Sequence, residues 1–168
     1  MELQSYLAPL EAGASMGLLS DAGCPGVADP GAVMVKRAHQ KGFNVKPLVG
    51  PSSLLLALMA SGMNGQSFAF NGYLPIDKKD RLRTIKQLEK RSGDFDQTQL
   101  FIETPYRNEQ FLTDLLRTLS PTTLLCVACD LTLPTEWVYT APVKAWKNVE
   151  IKLQKRPAIF LFYKELSI

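Results

Sequence analysis

Residues 20–31 read SDAGCPGVADPG, with three Gly, two Pro and two Asp in twelve positions. Such a density of glycine and proline suits neither a helix interior nor a strand interior, so the chain must turn here. On its N-terminal side, GLLSDAG (17–23) reads as a short buried strand entering the turn. On its C-terminal side, PGAVMVKRAHQKGF (30–43) reads as a helix, with Pro30 in its first turn and Gly42 at its close. The arrangement then repeats, with NVKPLVG (44–50) as a second strand and PSSLLLALMASGM (51–63) as a second helix that starts on Pro51, Ser52 and Ser53. Strand, turn and helix in alternation is the pattern of a parallel α/β sheet.

The alternation gives way at NGQSFAFNGYLP (64–75), a connector or the first strand of a second lobe, and a domain boundary is placed near residue 65. DKKDRLRTIKQLEKR (77–91) follows as a basic amphipathic helix with Leu82, Ile85 and Leu88 on one face. TQLFIETP is read as a strand, NEQFLTDLLRTL as a helix, TTLLCVACDLTL as a long strand, EWVYTAPVKAW as a strand and turn, and RPAIFLFYK as a closing strand. The second lobe, residues 65–168, is therefore expected to be α+β, and an earlier stretch ends in Gly13 as a helix stop.

At 168 residues and 46% hydrophobic content the chain can build a core, and a net charge of +3 neither demands nor excludes an anionic partner. The most apolar run, Leu54 to Met63, is only ten residues, against the roughly 20 that a membrane span needs, so no membrane partner is expected. Three cysteines without a secretory pattern point to a reducing cytoplasm.

Turns at the carboxyl ends of strands in α/β sheets bind ligands through backbone amides and helix N-termini. Gly23 and Gly26 would let a ligand approach the backbone, Asp21 offers acceptor oxygens, and Asp29, just before Pro30, reads as a helix N-cap. The glycine spacing is not that of the dinucleotide fingerprint, and an ordinary α/β turn collects the same residue types. Cys126-Val-Ala-Cys129 lies in an apolar strand with no second pair and no histidine nearby, so it reads as core and no metal site is assigned. His39, the single histidine, belongs to a helix surface; Trp137 belongs to the core, while Glu136 is placed like the ETPYRN residues near a cleft. No catalytic set of side chains can be assembled, and the catalytic residues are left unassigned.

Six motifs in order, LLSDAGCPGVADPG, KPLVGPSSLLLALMASGM, FNGYLP, ETPYRN, DLTLPTE and KRPAIFLF, resemble the tetrapyrrole methylase superfamily of S-adenosylmethionine-dependent methyltransferases. The resemblance runs from about residue 11 to the end and is nearest to the branch of ribosomal RNA small subunit methyltransferase I, with its VSDAG-PG--DPG, PGPS and E-P-R.

The resemblance implies two α/β lobes with the methyl donor in the cleft between them. The family's Gly-rich loop and acidic segment ahead of the opening motif are not found, so residues 1–64 are expected to be the later part of an incomplete N-terminal lobe. A sheet short of strands implies an edge to be covered, hence a homodimer. Carried over by position, donor contacts fall on Asp21, Ala22, Gly23, Pro51, Ser52 and Ser53, with further contacts at Glu103 and Thr104 and, for the adenine, at Pro157 and Ala158. The implied activity is donor-dependent methylation of a ribose 2′-hydroxyl in ribosomal RNA, with the small ribosomal subunit as partner. Methylation of a tetrapyrrole or other small molecule is the alternative within the enzyme class, and a non-catalytic donor-binding or dimerising module is the alternative outside it.

Where the ribosomal branch reads RELTK--E, this chain has Cys129, Asp130 and Leu133 in place of Arg, Glu and Lys, which removes two cations. Lys78, Lys79, Arg81 and Arg83 remain, as a solvated helix face or as an RNA contact. Arg107 either reaches the cleft or pairs with Glu103.

Overall fold

The computed structural model describes residues 5–165. They divide into two compact units, Met1–Ser52 and Ser53–Ile168.

The second unit is a five-stranded mixed sheet covered by helices. Its strands are β1 (Phe68–Phe70), β2 (Thr98–Ile102), β3 (Leu124–Cys129), β4 (Trp137–Pro142) and β5 (Ala158–Tyr163), in the order β1-β2-β5-β3-β4. β1 runs parallel to β2, and every other neighbouring pair is antiparallel. The closing strand of the sequence is thus the middle of the sheet, and β5 is an unbroken apolar run because both of its faces are buried.

Side-chain alternation sorts two cores. Phe101, Leu125, Val127, Phe160 and Phe162 point to one face, where they meet α5 (Asn108–Thr118) through Phe111 and Leu115, and α4 (Lys78–Asp94) through Ile85. Phe101 stacks on Phe162 at 5.1 Å, and Phe111 meets Phe160 edge-on at 4.9 Å. Leu100, Cys126, Ala128, Ile159 and Leu161 point to the other face, under Ala57 and Leu58 of α3 (Ser53–Ser61). Because α3 covers this sheet, compactness divides the chain ahead of α3 rather than near residue 65.

α4 starts where Asp77 accepts a hydrogen bond from the Asp80 amide at 2.9 Å, an N-cap. Its inner face carries charge as well as Ile85. Arg81, expected as a solvated or RNA-binding cation, is buried: its Nε and Nη2 donate to Asp114 Oδ2 of α5 at 2.9 and 2.6 Å, and its Nη1 donates to the carbonyls of Pro75 and Ile76. Buried Glu89 likewise accepts from the Ser120 amide and Thr123 Oγ1.

The first unit holds a short helix α1 (Ala8–Glu11), the long turn, and α2 (Ala32–Gln40). α2 confirms the helix after Pro30, but the two expected strands are corrected: residues 17–20 and 44–50 run as irregular chain. A strand needs a ladder partner, and none of the described residues before Ser53 offers one. Leu19 and Leu48 accordingly stand 92% and 91% exposed.

Replacing Asp114 with Ala strands the Arg81 guanidinium in the interior, an expected loss of about 3–5 kcal/mol in urea unfolding. The double replacement Arg81→Met with Asp114→Leu is expected to recover most of it; a loss under about 1 kcal/mol in the single variant removes the pair from the stabilising set.

Candidate functional site

The long turn is organised by Asp29. Its Oδ1 accepts from the amides of Gly26 (3.1 Å) and Gly31 (2.8 Å), and its Oδ2 accepts from Ser20 Oγ (3.0 Å). Asp29 is therefore a clamp across the turn and not the N-cap of α2, a position held by Gly31 without a side-chain cap. Gly31 admits no larger residue without a shift, since a Cβ would lie 2.8 Å from both Asp29 Oδ1 and Leu18 Cδ2. The amides of Gly26 and Gly31, with the Ser20 hydroxyl, hold the Asp29 carboxyl below its ordinary range.

Asp21, Ala22 and Gly23 lie on the exposed side of this clamped turn. Gly23 has φ +71, and nothing lies within 4 Å of where its Cβ would be, so the turn's backbone is open to approach. The second turn touches the first: Cys24 Sγ donates to the Pro51 carbonyl at 3.5 Å. Pro51 is exposed and Ser52 half-buried, and Ser53 is the exposed first residue of α3.

The other expected contacts meet at one end of the sheet. Register sets Ile102 of β2 opposite Ile159 and Cys129 of β3 opposite Ala158, so the residues just past β2 and β3 flank the start of β5. Glu103, Thr104, Pro157 and Ala158 are brought to that end, Pro157 exposed and Ala158 buried. Glu103 is buried, and its Oε1 accepts from the Thr104 amide (2.6 Å) and from Arg107 Nη2 (2.6 Å) and Nε (3.1 Å). Arg107 is thus the structural partner of Glu103.

Sequence reading missed the residues that hold this end together. Arg156 donates from Nε to Asp130 Oδ2 (2.7 Å), from Nη2 to the Thr135 carbonyl (2.8 Å) and from Nη1 to the Lys152 carbonyl (3.1 Å). Thr135 Oγ1 donates to the same Asp130 oxygen at 2.8 Å. Burial pushes the Asp130 carboxyl up, yet the hydrogen bonds from Thr135 and Arg156 and the guanidinium charge outweigh it and leave the group lowered. Asp130, Thr132 and Lys155 all hold positive φ (51°, 70° and 62°), backbone strain gathered on the segments beside the start of β5. Asn108 is fully buried; its Nδ2 donates to the Arg156 carbonyl at 2.7 Å, and its Oδ1 has no partner among the described residues. The one sequence signal for this network is the acid-bearing DLTLPTE, whose Asp130 and Thr135 bind an arginine 26 and 21 positions on.

Glu136 accepts from the Thr132 amide at 2.6 Å and shapes its own loop. Trp137 stacks on Tyr139 against the core, and His39 is exposed on α2. Cys126 and Cys129 face opposite sides of the sheet, so they share no site, and burial lifts both thiols to about 11. Among the described residues, no group of three or more His, Cys, Asp or Glu is placed to hold a metal ion, and no helix is long and apolar enough to cross a membrane.

A carboxyl with a lowered folded value stabilises its turn fully above the ordinary carboxylate range and loses that contribution as pH falls through the folded value. The Gly31 amide resonance is expected to titrate with a midpoint below about 3.9 in acid NMR titration, and the transition should vanish in Asp29→Asn. A midpoint at or above the ordinary value would remove the clamp. Thiol labelling at pH 8 should modify Cys24 alone in the folded protein and all three free cysteines in denaturant; rapid labelling of Cys126 or Cys129 in the folded state would contradict their burial.

No protein-family model matches the chain. Proteins named ribosomal RNA small subunit methyltransferase I are similar to it: that of Escherichia coli O157:H7 is 33% identical over 83% of this chain and 48% of its own length. Those of Vibrio cholerae (37% identical; 80% and 45%) and Buchnera aphidicola (31% identical; 94% and 56%) are comparable. The chain spans about half the length of the curated relatives it matches. Among solved structures, the methyltransferase CobJ superposes with a TM-score of 0.60 at 19% identity, covering 95% of this chain and 69% of that one. The cobalt precorrin-4 methyltransferase CbiF gives 0.59 at 15% identity, with 96% and 69% covered. By sequence the chain is similar to the ribosomal RNA small subunit methyltransferase I proteins over most of its own length, and its fold is like that of the methyltransferases CobJ and CbiF.

Proposed function

We propose that this chain is part of an S-adenosylmethionine-dependent methyltransferase that acts on a ribose 2′-hydroxyl of small-subunit ribosomal RNA. The observation that carries the reading is identity of 31–37% over 80–94% of the chain to proteins named for methylation of that RNA. The donor supplies a methyl group on a positively charged sulfur; the protein's part is to bind it and line it up with the acceptor.

The residues present suit such a ligand. Asp21 offers a carboxylate to hydroxyl or amino groups, and the backbone of Ala22 and Gly23 is open to approach. Pro51, Ser52 and Ser53 offer a second turn with two hydroxyls. In the second unit, Thr104, Pro157 and Ala158 border the sheet end, where the Asn108 acceptor has no partner among the described residues. Glu103 acts there by fixing Thr104 and Arg107. The same reading takes the working form as a cytoplasmic homodimer, to be checked by sedimentation.

Calorimetric titration with S-adenosylhomocysteine is expected to show one saturable site per chain, weakened about tenfold or more by Asp21→Ala, the loss typical of a hydrogen bond to a charged group. Equal affinity in a folded Asp21→Ala protein takes that residue out of the site. Absence of binding at millimolar ligand overturns donor binding by this chain. Labelled-methyl transfer to small ribosomal subunits, compared with transfer to a tetrapyrrole, separates the RNA reading from the small-molecule one.

A further inference from the structure

We infer that the outer face of α4 is an RNA-docking surface that grips the phosphate backbone. The inference rests on the RNA reading above and gives it a location. α4 carries seven Lys or Arg against three Asp or Glu, a surplus of four, while the whole chain has a surplus of only three. All the net positive charge of the chain therefore resides in this one helix.

Folding sorts that charge. Arg81 and Glu89 turn inward with Ile85 and Ser92, and the Asp114 partner and Ser120 and Thr123 satisfy the two charges. Six cations remain outside, Lys78, Lys79, Arg83, Lys86, Lys90 and Arg91, and of these Lys79, Arg83, Lys86 and Lys90, at successive spacings of four, three and four residues, form a single stripe on a 3.6-residue helix. The stripe runs about 16 Å along the axis. Among the described residues Arg83 and Lys90 pair only with Asp80 and Asp94, in exposed i,i+3 and i,i+4 bridges, which are weak and easily exchanged for phosphate.

An aromatic ring is exposed at each end of this segment. Tyr73, just ahead of the helix, is 58% exposed, and Phe95, its C-cap, is 67% exposed and lies under Arg91 at 5.8 Å. A cationic stripe flanked by open rings fits a single-stranded or looped RNA, whose phosphates take the charges and whose bases stack. A protein partner would require acidic side chains in the same row and would leave the rings without stacked bases.

The test is binding of a fluorescent hairpin RNA of about 30 nucleotides to the full chain between 50 and 200 mM salt. The pair Lys79→Glu and Lys86→Glu is expected to weaken binding about tenfold or more and to lower the salt slope by nearly two. The control pair Lys144→Glu and Lys147→Glu, exposed elsewhere and of equal charge change, is expected to stay within about twofold. The milder pair Lys79→Gln and Lys86→Gln reads out the same contact should charge reversal disturb folding. Equal losses in both reversed pairs, unchanged affinity in the α4 pair, or no RNA binding by the parent chain each overturn the proposal. S-adenosylhomocysteine affinity on the same samples keeps the readings apart: donor bound without RNA leaves the donor site standing while this surface falls, and RNA bound through the stripe without donor does the reverse.

Discussion

The second unit depends on burying β5 on both faces. Phe160 and Phe162 fill the layer under α4 and α5, while Ile159 and Leu161 fill the layer under α3. Each such side chain contributes about 1.5–3 kcal/mol of transfer free energy, so burial on both faces makes this strand a major source of stability. Its neighbour β2 comes from 57 or more positions earlier and β3 from 29 or more, as the Ile102↔Ile159 and Cys129↔Ala158 registers show, and the sheet cannot close until the end of the chain arrives.

That geometry also makes the sheet end where four of the candidate ligand residues lie. Antiparallel pairing of β5 with β2 and β3 brings the segments after Ile102 and Cys129 to the segment before Ala158. Arg156 then binds Asp130, Thr135 and Lys152 from one side chain, and the positive φ of Asp130, Thr132 and Lys155 is the conformational cost of that closure. Arg81 with Asp114 performs the matching task between α4 and α5, and in turning inward it leaves the other α4 cations outside.

The first unit is governed by local chemistry. One carboxylate, Asp29, satisfies two amides and a hydroxyl, which keeps the Asp21–Gly23 backbone presented without help from a sheet. The strands expected on either side of it are an instance of pattern without partner. GLLS and VKPLV have the composition of strands, but a strand is a relation between two segments, and none of the described residues of this unit supplies the second.

Local signals therefore determined a good deal from sequence alone: the turn at 20–31, α2 after Pro30, α3 after the serines, the amphipathic α4, and strands β2 to β5 of the second unit, while β1 was left open between connector and strand. The turns at Asp21–Gly23 and Pro51–Ser53 were equally legible, because glycine, proline and serine announce turns by their own backbone preferences, whereas their reading as donor contacts came from the family resemblance. What tertiary structure alone decided were the pairings between distant positions: β5 in the middle of the sheet, Arg81 buried against Asp114, Arg107 committed to Glu103, Asp130 to Arg156, and Cys126 and Cys129 sent to opposite faces. Periodicity states which face of an element is apolar, but the free energy of a charge in the interior depends on which opposite charge folding sets beside it, and no local pattern carries that information.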